Sequence, residues 1–334
     1  MTVLRIGFTL KAQQNNSSTY QPTFQWSFLH PKHWGTWFSL LVLIIFALLP
    51  WKVRDPIAGF IGKHIGRYIK KARHRARVNL QLCFPEKSDS EREAMIDEMY
   101  SSAAQVILAM GDLSLRSKKH LQERTEVFGQ EHLDKVTQAN RRVIMLVPHS
   151  WAIDFPAIYW ASLGLPVAAM MKPQHRQPVF DWVISRQRLQ YGGRCHARQD
   201  GIKHYLRSVK EGYMGYYLPD EDFGPEQSMF TDFFATKKAT FSGLGKIARL
   251  TDAAIVPMMP VYNKKAGKIE IHIQPEITGL NSKDLQQDAN LLAQSLEEMV
   301  GPYPDQYMWI LQLLKTRPNT NISPYKAAST EATK

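Results

Sequence analysis

Arg142-Val143-Ile144-Met145-Leu146-Val147-Pro148-His149-Ser150-Trp151-Ala152-Ile153-Asp154-Phe155-Pro156-Ala157-Ile158-Tyr159-Trp160 is the stretch on which the reading of this chain turns. The apolar run Val143 to Val147, closed by Pro148, has the form of a buried strand ending in a sharp turn. Phe155, Ile158 and Tyr159 suit an apolar helix, which places His149 on the strand-to-helix loop and Asp154 at the helix start. A carboxylate there complements the helix dipole. It can also turn back toward an imidazole, giving a general base with its orienter. The spacing alone is a weak signal, because a histidine bonded at a turn and an aspartate capping a helix leave the same trace.

Working outward, 334 residues suffice for one large domain or two ordinary ones. Lys and Arg number 42 against 30 Asp and Glu, a formal charge of +12. Such a balance calls for an acidic partner, whether nucleic acid, anionic lipid or an acidic carrier protein, and charge does not choose among them. With only Cys83 and Cys195 there is no disulfide framework and no four-thiolate zinc site. Cys195 reads as a small core residue. The chain lacks a G-x-S-x-G elbow, a G-x-x-x-x-G-K-[ST] loop and a G-x-G-x-x-G fingerprint, which weakens the serine hydrolase, P-loop and dinucleotide readings.

Residues 1–30 are rich in Gln, Asn, Ser and Thr and have the composition of a flexible lead segment. From Trp34 to Trp51 no residue is charged, and Phe38 to Leu49 is almost wholly apolar. That length is near the lower limit for a helix crossing a bilayer, which takes roughly 20 residues. Trp34, Trp37 and Trp51 sit where an interfacial aromatic belt would put them. Residues 52–79 follow with Lys52, Arg54, Lys63, Arg67, Lys70, Lys71, Arg73, Arg75 and Arg77 opposed only by Asp55, interleaved with Phe60, Ile61, Ile65 and Ile69. This is a basic amphipathic segment suited to an anionic leaflet, and the positive-inside bias places the remainder on the cytoplasmic side. Nucleic acid is the competing partner for it.

Residues 80–325 form the body, with a flexible tail at 326–334. Ser90 and Glu93 have capping-box spacing for a helix running to about Met110. Val167 to Met170, Arg194 to Ala197, Tyr213 to Leu218, Ile255 to Val261 and Ile269 to Ile273 have strand patterns. Val179 to Leu189, Asp200 to Lys210, Thr240 to Leu250 and Asp284 to Val300 have helical ones. The fold class expected is α/β, a mixed sheet flanked by helices, with an N-terminal transmembrane helix.

A second polar set accompanies the histidine. Arg186, Arg188, Arg194, Arg198, Lys203 and Arg207 cluster in sequence, and Arg198 precedes Asp200-Gly201, a helix N-terminus of the kind that holds phosphate. Asp220, Glu221 and Asp222 with Gly224 put acids on the loop after a strand. A hard-cation site is conceivable there, but positioning a substrate hydroxyl or an arginine is the commoner use. Phe233, Phe234 and Lys237 join an aromatic pair to a base, which suits a long apolar tail beside an anionic group. Each also has a plain structural reading, as solvated charges or a buried Phe pair.

At this point the chain closely resembles the late lipid A acyltransferases, from about Tyr20 to Tyr325, and most of all their myristoyl-transferring branch. The likeness is carried by His30-Pro31 with Trp34-Gly35, by Asn79-Leu80 with Leu82-Cys83-Phe84-Pro85-Glu86, and by Val147-Pro148-His149 with Trp151 and Asp154. It continues in Gly192-Gly193-Arg194, His196-Ala197-Arg198, Tyr216-Tyr217-Leu218-Pro219-Asp220, Phe233-Phe234-Ala235-Thr236, Tyr307 with Trp309-Ile310-Leu311, and Leu313-Leu314-Lys315-Thr316-Arg317. The resemblance implies a single-pass enzyme of the bacterial inner membrane with its catalytic domain on the cytoplasmic side. It would move an acyl chain from acyl carrier protein to a hydroxyacyl chain of a Kdo-bearing lipid A precursor. The wider glycerolipid acyltransferases share a His-x4-acid motif, which maps onto His149 and Asp154. Their Glu-Gly-Thr motif is absent, and Asp220 to Gly224 stands in its place.

The mechanism expected from this is that His149 deprotonates the acceptor hydroxyl while Asp154 holds the imidazole. Arg188 or Arg198 would bind the oxyanion or a lipid phosphate, and Arg194, Asp220, Asp222, Gly224, Phe233, Phe234 and Lys237 would line the substrate. No metal or cofactor is expected beyond the carrier-protein thioester. The partners expected are acyl carrier protein, the lipid A precursor and inner-membrane lipids, without nucleic acid. The alternatives are a lauroyl-transferring paralogue and a membrane-tethered lipid or nucleic-acid binding module without chemistry; the latter lacks the interleaved aromatic platforms of single-strand binders.

Overall fold

The structure, a computed structural model, describes residues 19–280 and 283–326. Of the two segments expected to be flexible, residues 1–18 and 327–334 lie outside the described residues. The helical N-terminal third consists of α1 (Trp34–Leu48), α2 (Trp51–Tyr68), α3 (Lys70–Cys83), α4 (Asp89–Leu115) and α5 (Lys118–Glu123). The α/β part follows as β1 (Thr125–Phe128), α6 (Gln130–Gln138), β2 (Arg142–Leu146), α7 (Asp154–Ser162), β3 (Val167–Met171), α8 (Pro178–Leu189), β4 (Arg194–Ala197) and α9 (Lys203–Lys210). It continues with β5 (Met214–Tyr217), β6 (Ser228–Phe233), β7 (Thr236–Phe241), α10 (Leu244–Thr251), β8 (Ala253–Asn263), β9 (Lys268–Ile273) and α11 (Leu285–Val300).

Among the described residues seven strands make one sheet in the order β1-β9-β8-β2-β5-β3-β4. The five from β8 to β4 are mutually parallel, and β9 with β1 runs against them. The sheet is therefore mixed and helix-flanked, as expected. β2 lies inside it, and its alternate residues feed two cores: Ile144 and Leu146 on one face, Val143 and Met145 on the other. A strand buried on both faces has no polar positions to spare, which is why it appears in sequence as an unbroken apolar run.

Several sequence expectations shift in position. The capping box is Ser88 with Glu91, not Ser90 with Glu93: the Glu91 N–H donates to Ser88 Oγ (3.3 Å) and the Ser88 N–H to Glu91 Oε2 (2.7 Å). Thr240 opens no helix, because Thr236–Phe241 is a strand paired with β6 in a hairpin, with Thr231 and Thr240 hydroxyls bonded across it at 2.8 Å. The β-branched and aromatic residues of the two strands, Phe230, Thr231, Phe233, Thr236, Thr240 and Phe241, suit a pleated pair better than a helix. The stretch 34–51 is not one helix either, since α1 ends at Leu48 and α2 starts at Trp51 after a turn at Leu49-Pro50.

α2 packs its small-residue face on α4. A Cβ at Gly62 would lie 2.3 Å from the Tyr100 carbonyl oxygen, so only glycine permits this approach. The basic segment that follows is partly internal. Arg54 is buried and bonds Asp55 (2.8 Å), Asp112 (3.2 Å) and Tyr262 (2.9 Å), and Arg73 is buried against Glu93 and Asp97. Buried arginines demand such partners, so these charges knit helices together while Lys52, Lys70 and Lys71 face outward.

Candidate active site

His149 and Asp220 reach each other through the sheet. β2 and β5 are adjacent and parallel, with Leu146 opposite Tyr217, and the Val147 N–H donates to the Tyr217 carbonyl at 2.9 Å. Each strand then runs through a proline and ends on a polar residue three positions beyond that register pair, His149 on one and Asp220 on the other. The carboxylate of Asp220 accepts the His149 backbone N–H on Oδ2 (2.8 Å) and the imidazole Nδ1–H on Oδ1. Ligand sites of parallel sheets gather at these carboxyl ends.

The loop is braced from behind by the C-terminal segment. The Met308 N–H donates to the His149 carbonyl (2.8 Å), the Trp151 N–H to the Gln306 carbonyl (3.0 Å), and Ser150 forms a bridge with Tyr307. The buried Asn79 amide in turn donates to the carbonyls of Trp309 (2.6 Å) and Leu311 (2.8 Å), and Tyr325 closes the network on Asn79. The distant motif residues Asn79, Tyr307 and Trp309 thus act as scaffold.

Electrostatics set the protonation states. Burial works against a charged His149, but the Asp220 charge, its hydrogen bond and the nearby Glu221 outweigh burial and the opposing Arg198, holding the imidazole pKa above its ordinary value. Burial likewise disfavours an ionised Asp220. The imidazole, the backbone N–H of His149 and the cation of Lys238 overcome it and keep the carboxyl below the usual range. Lys238 is fully buried, and burial lowers its pKa against the pull of Asp220 and Asp222. With Nδ1 committed to Asp220, Nε2 is left as the working nitrogen, 3.9 Å from Glu221 Oε1.

His149 opens onto a cavity of about 280 Å³ whose lining includes Asp154, Arg188, Arg194, Arg198, Glu221 and Tyr216. The expected partnership of His149 with Asp154 is not what the structure shows. Asp154 holds the Arg188 guanidinium with both oxygens (2.8 and 3.1 Å), and the Asp154 charge keeps Arg188 firmly cationic despite burial. The reason is placement: Asp154 begins α7, facing α8, while the strand-end carboxylate of Asp220 already occupies the imidazole. Arg198 forks onto Glu221 (2.7 and 2.9 Å). It sits on a single 3-10 turn, Arg198–Asp200, and α9 starts only at Lys203, so the expected phosphate-holding helix N-terminus is not there. Arg194 bonds Ser208 (3.2 Å) and Glu211 and stacks on Tyr213. Cys195 lines the same cavity, but burial pushes its thiol up to about 11, which leaves too little thiolate for a nucleophile.

The remaining expected contacts lie elsewhere. The three acids diverge: Asp222 is used up by the Thr316 N–H (2.7 Å), the Thr316 hydroxyl (2.8 Å) and the Gly224 N–H (3.0 Å), locking a loop. Gly224 has φ of +92° at that turn. Phe233 is buried against Phe234, which packs on Phe84 and Trp309, and Lys237 is paired with Asp232 on the outer face of the hairpin (2.6 Å). These residues shape the hairpin rather than the cavity. Glu221, named in sequence only as one of three loop acids, is the one of them besides Asp220 that reaches the base, and it was not among the expected site residues. Its only sequence signal was adjacency to Asp220.

A second cavity, of about 470 Å³, is almost purely apolar and lies between α1, α2 and α4, with Phe46, Ile61, Ile65 and Ile107 on its walls. Trp151, two residues past His149, is part of its lining.

Residues 21–316 match the profile of a family described as bacterial lipid A biosynthesis acyltransferases. The chain is 46% identical over 298 residues to a lipid A biosynthesis acyltransferase of Haemophilus influenzae, covering 89% of this chain and 93% of that one. It is 45% identical over 313 residues to the lipid A biosynthesis myristoyltransferase of Escherichia coli (94% and 97%). Against the lipid A biosynthesis lauroyltransferase of the same organism the identity is 28% over 308 residues (92% and 100%).

Proposed function

The chain belongs to the bacterial lipid A biosynthesis acyltransferases, and from that membership we propose that it moves a myristoyl chain from acyl carrier protein to the hydroxyl of a hydroxyacyl chain on a Kdo-bearing lipid A precursor. In this reading the reaction takes place at the cytoplasmic leaflet of the bacterial inner membrane, which the apolar exposed α1 and the lipid A relatives support. Support for myristoyl comes from the sharper likeness to a myristoyltransferase than to a lauroyltransferase. The observation that carries the chemistry is the His149–Asp220 pair opening onto a cavity with Arg188 and Arg198 on its lining.

Asp220 accepts a hydrogen bond from Nδ1–H and stays ionised, so the neutral imidazole presents its Nε2 lone pair to the proton of the acceptor hydroxyl. As Nε2 takes that proton, the alcohol oxygen forms a bond to the thioester carbonyl carbon and the carbonyl electron pair moves onto oxygen. Collapse of the tetrahedral adduct breaks the carbon–sulfur bond, and the departing thiolate takes the proton back from the imidazolium. An ester and a free thiol result. Positioned acid–base help of this kind contributes roughly 10²–10⁴-fold. The rest comes from charge placed where the oxyanion develops, and Arg188, clamped by Asp154, is a fixed cation of the cavity suited to that role. Asp154 is then a positioning residue acting through Arg188. Because a thioester is already activated, the scheme uses no metal and no cofactor.

Incubating the purified protein with myristoyl carrier protein and the Kdo-bearing precursor tests this by mass spectrometry. A product heavier by one myristoyl group is expected from the wild type and is lost in His149→Ala. Transfer of lauroyl in preference points to the paralogous activity, and near-normal transfer by His149→Ala ends the assignment of the base.

A further inference from the structure

α1 is apolar along its length, and apart from the side that lies on α4 it has little protein around it. Only Ala47 of its residues is buried, while Phe38, Leu41, Ile45 and Leu48 are more than half exposed. Water is no medium for such a helix, so lipid must surround it. The expectation from sequence is that it crosses the bilayer and leaves the chain before it on the far side. The contacts at its two ends do not allow that.

At the C-terminal end Ala47 rests on Gly111 of α4, where an added Cβ would come within 2.3 Å of the Ala47 Cβ. The chain then turns at once into α2, which is packed along α4. At the N-terminal end Trp37 donates its indole N–H to the Phe28 carbonyl (2.8 Å) and sits 6.4 Å from the ring of Trp182 on α8. The segment before it, residues 20–28, lies on the same body. The Tyr20 N–H donates to the Cys195 carbonyl of the edge strand β4 (2.6 Å), its hydroxyl bonds Asp181, and Phe24 packs on Trp182 at 5.3 Å. Phe28 is buried in the same aromatic group. Both flanks of α1 are therefore fixed to one body. With the 3-10 turn Pro31–His33 before it, the helical run is 18 residues, at the lower limit for crossing a bilayer, so the topology follows from its two anchored ends rather than from its length.

We propose that the chain is monotopic: α1, with the outward face of α2, is sunk into a single leaflet of an anionic bilayer, and the segment before α1 stays on the same side as the catalytic body. The second component of the surface is on α2, where Val53, Ile57, Phe60 and Ile65 are exposed beside Lys52, with Lys70 and Lys71 just beyond the helix. Apolar side chains with cations at their border match hydrocarbon below anionic headgroups. In this placement the apolar cavity between α1, α2 and α4 faces hydrocarbon, with Trp151 linking it to the His149 loop. The inference stands on packing and does not depend on the acyl-transfer reading.

The test uses Gln21→Cys and, on the body, Ser90→Cys, both at exposed positions, in the full chain expressed in a Gram-negative host. The native Cys83 and Cys195 are buried and serve as the unlabelled background. A membrane-impermeant maleimide applied to inverted inner-membrane vesicles and to spheroplasts should label both variants in the same preparation. Labelling of Gln21→Cys from the face opposite to Ser90→Cys overturns the proposal. Should Gln21→Cys stay unlabelled in both, Phe24→Cys with Trp182→Cys decides in membranes: cross-linking by a short bis-maleimide supports one-sided insertion, and its absence contradicts it.

Discussion

Asp220 accepts two hydrogen bonds from one residue, the backbone N–H and the imidazole Nδ1–H of His149, across the carboxyl ends of two neighbouring parallel strands. The double contact fixes the loop and the ring together. Neither residue can shift along its strand without unpairing the other, and Asp220 is completely buried, so an uncompensated carboxylate there would be costly. The base is set by sheet register, while Arg188 across the cavity is set by the helix α8.

The Asp154–Arg188 pair gives the first prediction. Asp154→Ala leaves a half-buried guanidinium without its carboxylate, an effect of about 3–5 kcal/mol for fully buried pairs and well below that here because both groups keep solvent contact. Replacing both by Asp154→Leu and Arg188→Met should recover much of that loss in thermal melts in detergent. Additive destabilisation of the two single changes would show that the pair is not coupled.

Gly62 should tolerate no side chain. With the Tyr100 carbonyl 2.3 Å from an added Cβ, Gly62→Ala forces α2 away from α4, at about 1–3 kcal/mol. Gly35→Ala, where nothing lies within 4 Å, is the control and should leave stability unchanged or slightly raised. Equal effects in a denaturation experiment would mean that the close helix contact is absent.

Charge makes the third prediction. Under the proposed function, a chain of net +12 takes its donor from an acidic carrier protein, and their encounter is steered by long-range attraction, which added salt screens. The kcat/KM for carrier-protein thioester should fall several-fold between low and moderate ionic strength, with kcat little changed. A flat salt profile removes electrostatic docking from the account.

Much of this molecule was legible in its residues, for identifiable reasons. β2 and β4 show in sequence because an interior strand must be apolar and Arg194–Ala197 is bounded by turn residues. The hairpin at Phe233-Phe234 was less so, since a two-residue turn carrying Phe234 at φ of +49° has none of the Gly or Asn that usually marks one. His149 was found from its loop, but its orienter was misassigned to Asp154. Closeness in sequence favoured the neighbour at position 154, and pairing through sheet register joins residues separated by 71 positions. A signal did exist: Val147-Pro148-His149 and Leu218-Pro219-Asp220 are matching strand endings, which parallel pairing would bring side by side.

The central claim is that Asp220, not Asp154, governs the His149 base, and the pH dependence of kcat/KM in Asp220→Asn and Asp154→Asn tests it most directly. The base works in its neutral form, so the wild-type rate should rise with pH through a midpoint above the ordinary histidine value of 6.5. Asp220→Asn removes the main charge favouring imidazolium, so its midpoint should move to lower pH while the plateau falls by about 10²-fold or more. Asp154→Asn should lose rate with its midpoint where the wild type has it. A midpoint that shifts in Asp154→Asn and stays in place in Asp220→Asn would contradict the account.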